Sequence, residues 1–152
     1  MTAVAAGPPP RTRAPHLRGV GSRPLRTGDR GLAVVCLLVG AGAHVPLIPA
    51  HWQEARYAGV AFVIFTVASL ALAVVVAGHD TVAVWAGVVV LEVLAITAYV
   101  VTRTVALPRL GDDVGSWLEP LSFPALAAEL IAVVVAVSVL VRARAMGETT
   151  AA

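Results

Sequence analysis

Four apolar runs follow one another at about 31–49, 57–78, 82–106 and 120–141. A hydrocarbon core of ~30 Å needs about 20 apolar residues per helix, and each run is near that length. The second, Tyr57 to Gly78, contains no charged residue. The third and fourth are interrupted only by Glu92, Arg103 and Glu129. The runs are continuous and do not alternate apolar with polar, which argues against a transmembrane β-barrel. The pattern predicts an all-α, four-transmembrane-helix bundle. The residues left between the runs form one very short connection at 78–81 and two longer ones. The short connection makes the second and third helices an antiparallel hairpin, with Asp80 or Thr81 as the natural cap of the third.

Composition agrees. Only 13% of residues are charged and the mean hydropathy is +0.87. A soluble domain carries roughly 25% charged residues, so too few are present for a water-facing surface. Cys36, the single cysteine, lies inside the first run. One thiol forms neither an internal disulfide nor a Cys-x-x-Cys redox pair, and a small buried apolar role is expected of it. Ala41-Gly42-Ala43 resembles a signal-cleavage site. The run continues past it to Pro49, however, and some thirty residues precede it, so a retained helix is expected.

All positive charge is arginine. Arg11, Arg13, Arg18, Arg23, Arg26 and Arg30 precede the first run, and Arg142 and Arg144 follow the last. The positive-inside rule places both termini in the cytoplasm, which requires an even number of spans. The expected location is the cell membrane. Residues 1–30 hold five prolines and four glycines besides the six arginines, and are expected to be a disordered basic tail. The tail is a topology signal first, with contact to anionic lipid as its functional alternative. Nucleic acid is not an expected partner. Residues 31–142 form the membrane domain and 143–152 a short cytoplasmic tail.

The candidate chemistry lies in a few polar residues placed where polar residues are costly. A carboxylate at the bilayer centre costs on the order of 2.5–3.5 kcal/mol, so Glu92 and Glu129 must face the bundle, find partners or be protonated. Glu92, Tyr99 and Arg103 fall at i, i+7 and i+11, one helical stripe. Arg103 is the natural counter-charge for Glu129, with His44 next. A cluster of His44, Tyr99, Arg103 and Glu129 is expected in the outer half of the bundle, with Glu92 below it. It reads equally as a ligand or proton site and as a network that fixes helix register. Pro46 and Pro49 are expected to end or kink the first helix. Beyond them His51 and Glu54 would share a face of a short interfacial helix. With His44 they form a candidate site for Zn²⁺ or Cu²⁺, although the spacing fits no established metal motif. In the second outer loop Asp112 and Asp113 are expected to be solvated, and Glu119 with Pro120 to open the fourth helix.

His44, Pro49, His51 and Glu54, then Thr102-Arg103-Thr104 with Leu107-Pro108, then Trp117-Leu118-Glu119-Pro120-Leu121 and Glu129 form a further pattern. In it the chain resembles uncharacterised small four-span integral membrane proteins of high-GC Gram-positive, actinobacterial-type bacteria. The resemblance covers the helices but not the basic tail, and implies an architecture and no activity.

Two functions are expected. One is a small membrane protein that binds a ligand, metal ion or proton in the outer half. The other is a non-catalytic assembly or accessory subunit, as a homo-oligomer or with a membrane partner. An enzyme is not expected, because no serine nucleophile with a base, no HExxH and no cysteine pair is present. Small multidrug exporters place a carboxylate in helix one, which this chain lacks, and a bis-histidine haem would need a second histidine at membrane depth. No inverted repeat is evident.

Overall fold

The computed structural model describes residues 29–149. The basic segment 1–28 and residues 150–152 lie outside the described residues. Helix α1 spans Arg30–His44 and passes through a 3₁₀ turn, Val45–Leu47, into the short α2, Ile48–Glu54. Helices α3 (Arg56–Gly78), α4 (Val82–Thr104) and α5 (Ser122–Thr149) follow. Among the described residues there is no strand. Arg30–Glu54, α3, α4 and Ser122–Met146 are each long and apolar enough to cross a membrane.

The first span runs five residues beyond the expected Pro49 because neither proline sits inside a regular helix. Pro46 opens the 3₁₀ turn and Pro49 opens α2. At those positions the missing N–H is one that a helix start leaves unpaired anyway. The chain therefore changes direction without ending. The fourth helix starts at Ser122, two residues later than expected, and continues past 141 to Thr149.

The spans form an up-down-up-down bundle. Helix α1 packs on α3 and α5, and α4 packs on α5 and more loosely on α3. Three sides of the square are tight and the α3–α4 side is open. Close approach on the α5 sides follows from a stripe of small residues, Ala125, Ala128, Ala132 and Ala136, all buried. The end of the bundle that carries residues 30, 79–81 and 142 is here the terminal end. The other, with residues 44–57 and 105–121, is the loop end.

The terminal half is a dry core of Leu37, Val76, Trp85, Val88, Ala132, Ala136 and Val139. A buried polar knot closes it. Thr81 caps α4 by accepting from the Val84 N–H at 3.4 Å. Asp80 does different work: its carboxylate accepts from Trp85 Nε1 at 2.6 Å and lies 3.5 Å from the Arg30 guanidinium. Arg30 also donates to the Ala77 carbonyl at 3.2 Å, so α1 is tied to the end of α3. Asp29 and Arg142 pair across α1 and α5. The knot satisfies polar groups that lipid could not.

At the loop end α2 folds back onto α3. Where a Cβ would stand on Gly59, Trp52 Cα lies 2.7 Å away and Trp52 N 2.9 Å away. Gly59→Ala is therefore expected to push α2 off α3 at a cost of ~1–3 kcal/mol. That outweighs the gain of up to ~1 kcal/mol that alanine brings over glycine in a helix. Gly42→Ala meets nothing within 4 Å and serves as the control, keeping the gain alone. Thermal unfolding in detergent should show opposite shifts for the two substitutions.

Candidate functional site

Because α3 and α4 are joined tightly at the terminal end and diverge from it, a cleft of about 640 Å³ opens between them toward the loop end. Ala58, Phe62 and Phe65 of α3 and Leu91, Ala95 and Ala98 of α4 line its two sides. His44 and His51 close it from the first span, and Ala125, Leu126 and Glu129 from α5. Ile64 and Leu94, on its two lips, are 63% and 62% exposed, so the mouth faces the flank of the bundle where lipid would lie.

The two histidines are held alike. His44 Nδ1 is 2.8 Å from the Gly40 carbonyl and His51 Nδ1 is 3.0 Å from the Leu47 carbonyl, each one turn back. A carbonyl only accepts, so each Nδ1 carries the proton and each Nε2 is left for other partners. His44 Nε2 lies 4.0 Å from Glu129 Oε1, within electrostatic reach but too far for a hydrogen bond. Its ring packs against Phe65 and Phe62 at 4.5 and 5.1 Å between centroids, and His51 meets Phe62 at 4.6 Å. The aromatic rings fix the imidazole planes and shield the His44–Glu129 pair from water. Such a pair exchanges a proton or hydrogen-bonds a ligand's polar group.

Arg103 closes the cleft toward the loop end, and its partners differ from the expected one. Its guanidinium lies 2.9 Å from Glu119 Oε2 and 3.3 Å from Asp113 Oδ1, and it donates to the Asp113 carbonyl at 3.3 Å. The expected Arg103–Glu129 pair does not form. Arginine near the end of α4 is drawn outward, where the loop offers two carboxylates and water is closer. Glu119 lies before α5, which begins at Ser122, and Asp113 is part-buried beside Arg103 where a solvated residue is expected. Both α4 and α5 meet at the loop end, and this was the available signal: opposite charges flank a loop whose ends must meet. Tyr99 behaves as the stripe implied. Its ring lies 5.1 Å beneath the Arg103 guanidinium, and its hydroxyl donates to the Trp117 carbonyl at 2.7 Å. Arg103 lines the cleft, and its Nε is buried without a hydrogen-bond partner.

The loop itself is a lid over the cleft. The Leu110 N–H donates to the Leu107 carbonyl at 3.0 Å, closing a turn with Pro108 and Arg109 at its centre. Arg109 has φ 66°, a left-handed conformation that glycine or asparagine usually fills in such a turn. The turn is held by what it buries: Leu110, 2% exposed, packs on Ala55 and Ala58. Tyr57 also donates to the Pro108 carbonyl at 2.8 Å. Gly115, φ 83°, turns its N–H onto the Arg103 carbonyl at 3.0 Å, which a residue with a side chain would do only under strain.

The metal set does not assemble. Glu54 is exposed at the end of α2, and both imidazoles are packed on Phe62. Among the described residues no three His, Cys, Asp or Glu side chains gather as a metal would require. Glu92 is buried at 1% exposure as expected, but it stands outside the cleft lining.

No known family model, curated protein or solved structure matches this chain. The site must be read from its own geometry.

That geometry predicts which residues are energetically coupled. Arg103→Leu and Glu119→Leu should show a coupling of about 0.5–3 kcal/mol in a double-mutant cycle, because they share a contact. Arg103→Leu and Glu129→Leu should add to within ~0.5 kcal/mol. Denaturation of the detergent-solubilised protein measures both cycles.

Proposed function

We propose that the chain is a multi-pass membrane protein that takes an amphipathic molecule from the bilayer into the α3–α4 cleft. The observation that carries this reading is the cleft itself. Its volume of about 640 Å³ falls within the ~300–1,000 Å³ of small-molecule sites. Its walls are aliphatic and aromatic, and it opens between helices of membrane-spanning character. Polar groups sit at its back and at its loop end, among them His44 Nε2, Glu129 and the Arg103 side chain. An apolar tail along Phe62, Leu91 and Leu94, with one polar group turned inward, satisfies both surfaces at once.

The accessory-subunit reading has weaker support. Arg103 meets both Asp113 and Glu119 within the chain, so its positive charge is not left for a partner helix to meet. The basic ends favour a cytoplasmic placement of both termini in the cell membrane, with the lid on the opposite side. Of the segment before residue 29, the sequence supports contact with anionic lipid.

The binding reading is tested by purifying the protein in mild detergent and extracting bound lipid for mass spectrometry. Wild type should retain a lipid at near-stoichiometric amount. Ala98→Trp, which places an indole in the cleft from an exposed position, should lose it while keeping its helical circular dichroism. Equal lipid in both, or none in wild type, would sink the reading. Orientation is tested separately. A reporter active only in the cytoplasm should work when fused after Ala152 and fail when fused at Gly111.

A further inference from the structure

Outside the cleft lining stands a second set of buried polar groups that the ligand reading does not use. Hydroxyls in lipid-embedded helices usually bond back to their own backbone, and four in these spans do so. Thr97 donates to the Val93 carbonyl at 2.7 Å, Thr102 to Tyr99 at 2.8 Å, Thr104 to Val100 at 2.8 Å and Ser138 to Val135 at 2.7 Å. Thr66 and Ser69 of α3 do not. Both are buried, at 7% and 0% exposure, and their hydroxyls have no hydrogen-bond partner. Glu92 Oε1 on α4 is in the same condition at 1% exposure.

The helix register brings the three to one depth. Leu72 Cδ1 lies 3.7 Å from where a Cβ would stand on Gly87, which sets α3 against α4. Counting along the two antiparallel helices from that contact, Glu92 falls level with the turn between Thr66 and Ser69. Phe65 and Leu91, neighbours in sequence of Thr66 and Glu92, line the cleft, while the three groups themselves stand outside its lining. The Phe65 ring lies 3.9 Å from the Cβ position of Gly40, which sets α1 in register and brings Cys36 to the same level.

We propose that Thr66, Ser69 and Glu92 form a binding site for one monovalent cation, Na⁺ or a hydrated proton, reached from the cleft. Two hydroxyls and a carboxylate are hard oxygen donors, which suit such ions and not soft metals. One carboxylate balances one positive charge, whereas a divalent ion would leave surplus charge in hydrocarbon. No cationic side chain does this work. Arg103 is committed to Asp113 and Glu119, and His44 stands against Glu129. The titratable groups within electrostatic reach of Glu92 are the Cys36 thiol of α1 and the Glu129 carboxyl of α5. Helix α3 contributes only hydroxyls. On the terminal side Val76, Trp85 and Val88 are fully buried. On the loop side Asp113 and Glu119 line the cleft and favour a cation's entry.

The proposal stands apart from the ligand reading and has its own test. The full chain is purified in detergent, and its unfolding midpoint is followed by tryptophan fluorescence in NaCl against choline chloride at equal ionic strength, over a range of pH. A cation that binds only the folded state raises the midpoint in a saturable way. If Na⁺ is the occupant, the midpoint should rise with Na⁺ and the rise should shrink as protons compete at low pH. Glu92→Gln should abolish the rise, and Ser69→Ala and Thr66→Val should weaken it. If the occupant is a hydrated proton, the midpoint should follow pH and ignore Na⁺. Glu92→Gln should then remove a pH response that Glu129→Gln retains. Should Glu92→Gln fail to fold, the two hydroxyl variants carry the decision. Wild type that responds to neither ion, or variants that all respond as wild type does, would overturn the proposal.

Discussion

A polar group inside a bilayer has no water to fall back on, and this constraint organises the whole molecule. At the terminal end Asp80 is held by Trp85 and Arg30, and Asp29 by Arg142. At the loop end Arg103 is held by Asp113, Glu119 and the face of Tyr99. Between these two clusters His44 and Glu129 face one another. The terminal cluster and the His44–Glu129 pair join residues from different helices, and the loop-end cluster ties the end of α4 to the loop that leads into α5, so meeting the constraint also fixes how the helices stand. A charge pair in water would contribute little to such an arrangement. Here the cost of leaving one partner alone makes it decisive.

The clusters divide the bundle into unlike halves. The terminal half is closed by the hairpin at 79–81 and filled by Trp85, Leu37, Val76 and alanines of α5. Small residues let the backbones approach there, and nothing wider than a side chain fits between them. The loop half carries bulkier and more polar residues on the same faces: His44, Phe62, Phe65, Tyr99 and Arg103. These hold α3 and α4 apart, and the cleft is the result. The lid crosses it with a strained turn at Arg109, kept by the burial of Leu110. Strain retained at the mouth of a cavity, with burial on one side only, fits a segment whose position bears on access.

The chain's pattern carried the architecture to within a few residues. Apolar runs of spanning length leave few alternatives in lipid, and Gly78-His79-Asp80-Thr81 is too short for anything but a hairpin. The buried stripe on α4 was legible from spacing alone: Glu92 and Arg103 are buried and Tyr99 is half-buried. Depth was legible too, since helix rise converts sequence position into position along the bundle. The expected outer cluster holds both His44 and Glu129, and His44 Nε2 lies 4.0 Å from that carboxylate.

Partner choice among residues of similar depth was not legible. Arg103 had Glu129, Glu119 and Asp113 within reach of its side chain, and only the path of the loop through Gly115 and the Arg109 turn selected the last two. The prolines at 46 and 49 had two readings, a stop or a bend. The packing of Trp52 on Gly59 goes with the bend. The histidines and Glu54 looked like a metal set because spacing says nothing about which rings an aromatic neighbour will occupy. Nothing in the spacing marks Thr66 and Ser69, since hydroxyls in apolar helices ordinarily bond their own backbone. The sequence by itself determined the spans, their order and which faces turn inward, because these follow from local periodicity and from the bilayer's thickness. The tertiary structure alone decided who meets whom across those faces, and where space is left between them. Both depend on helix rotation and loop path, which are set by all the contacts together.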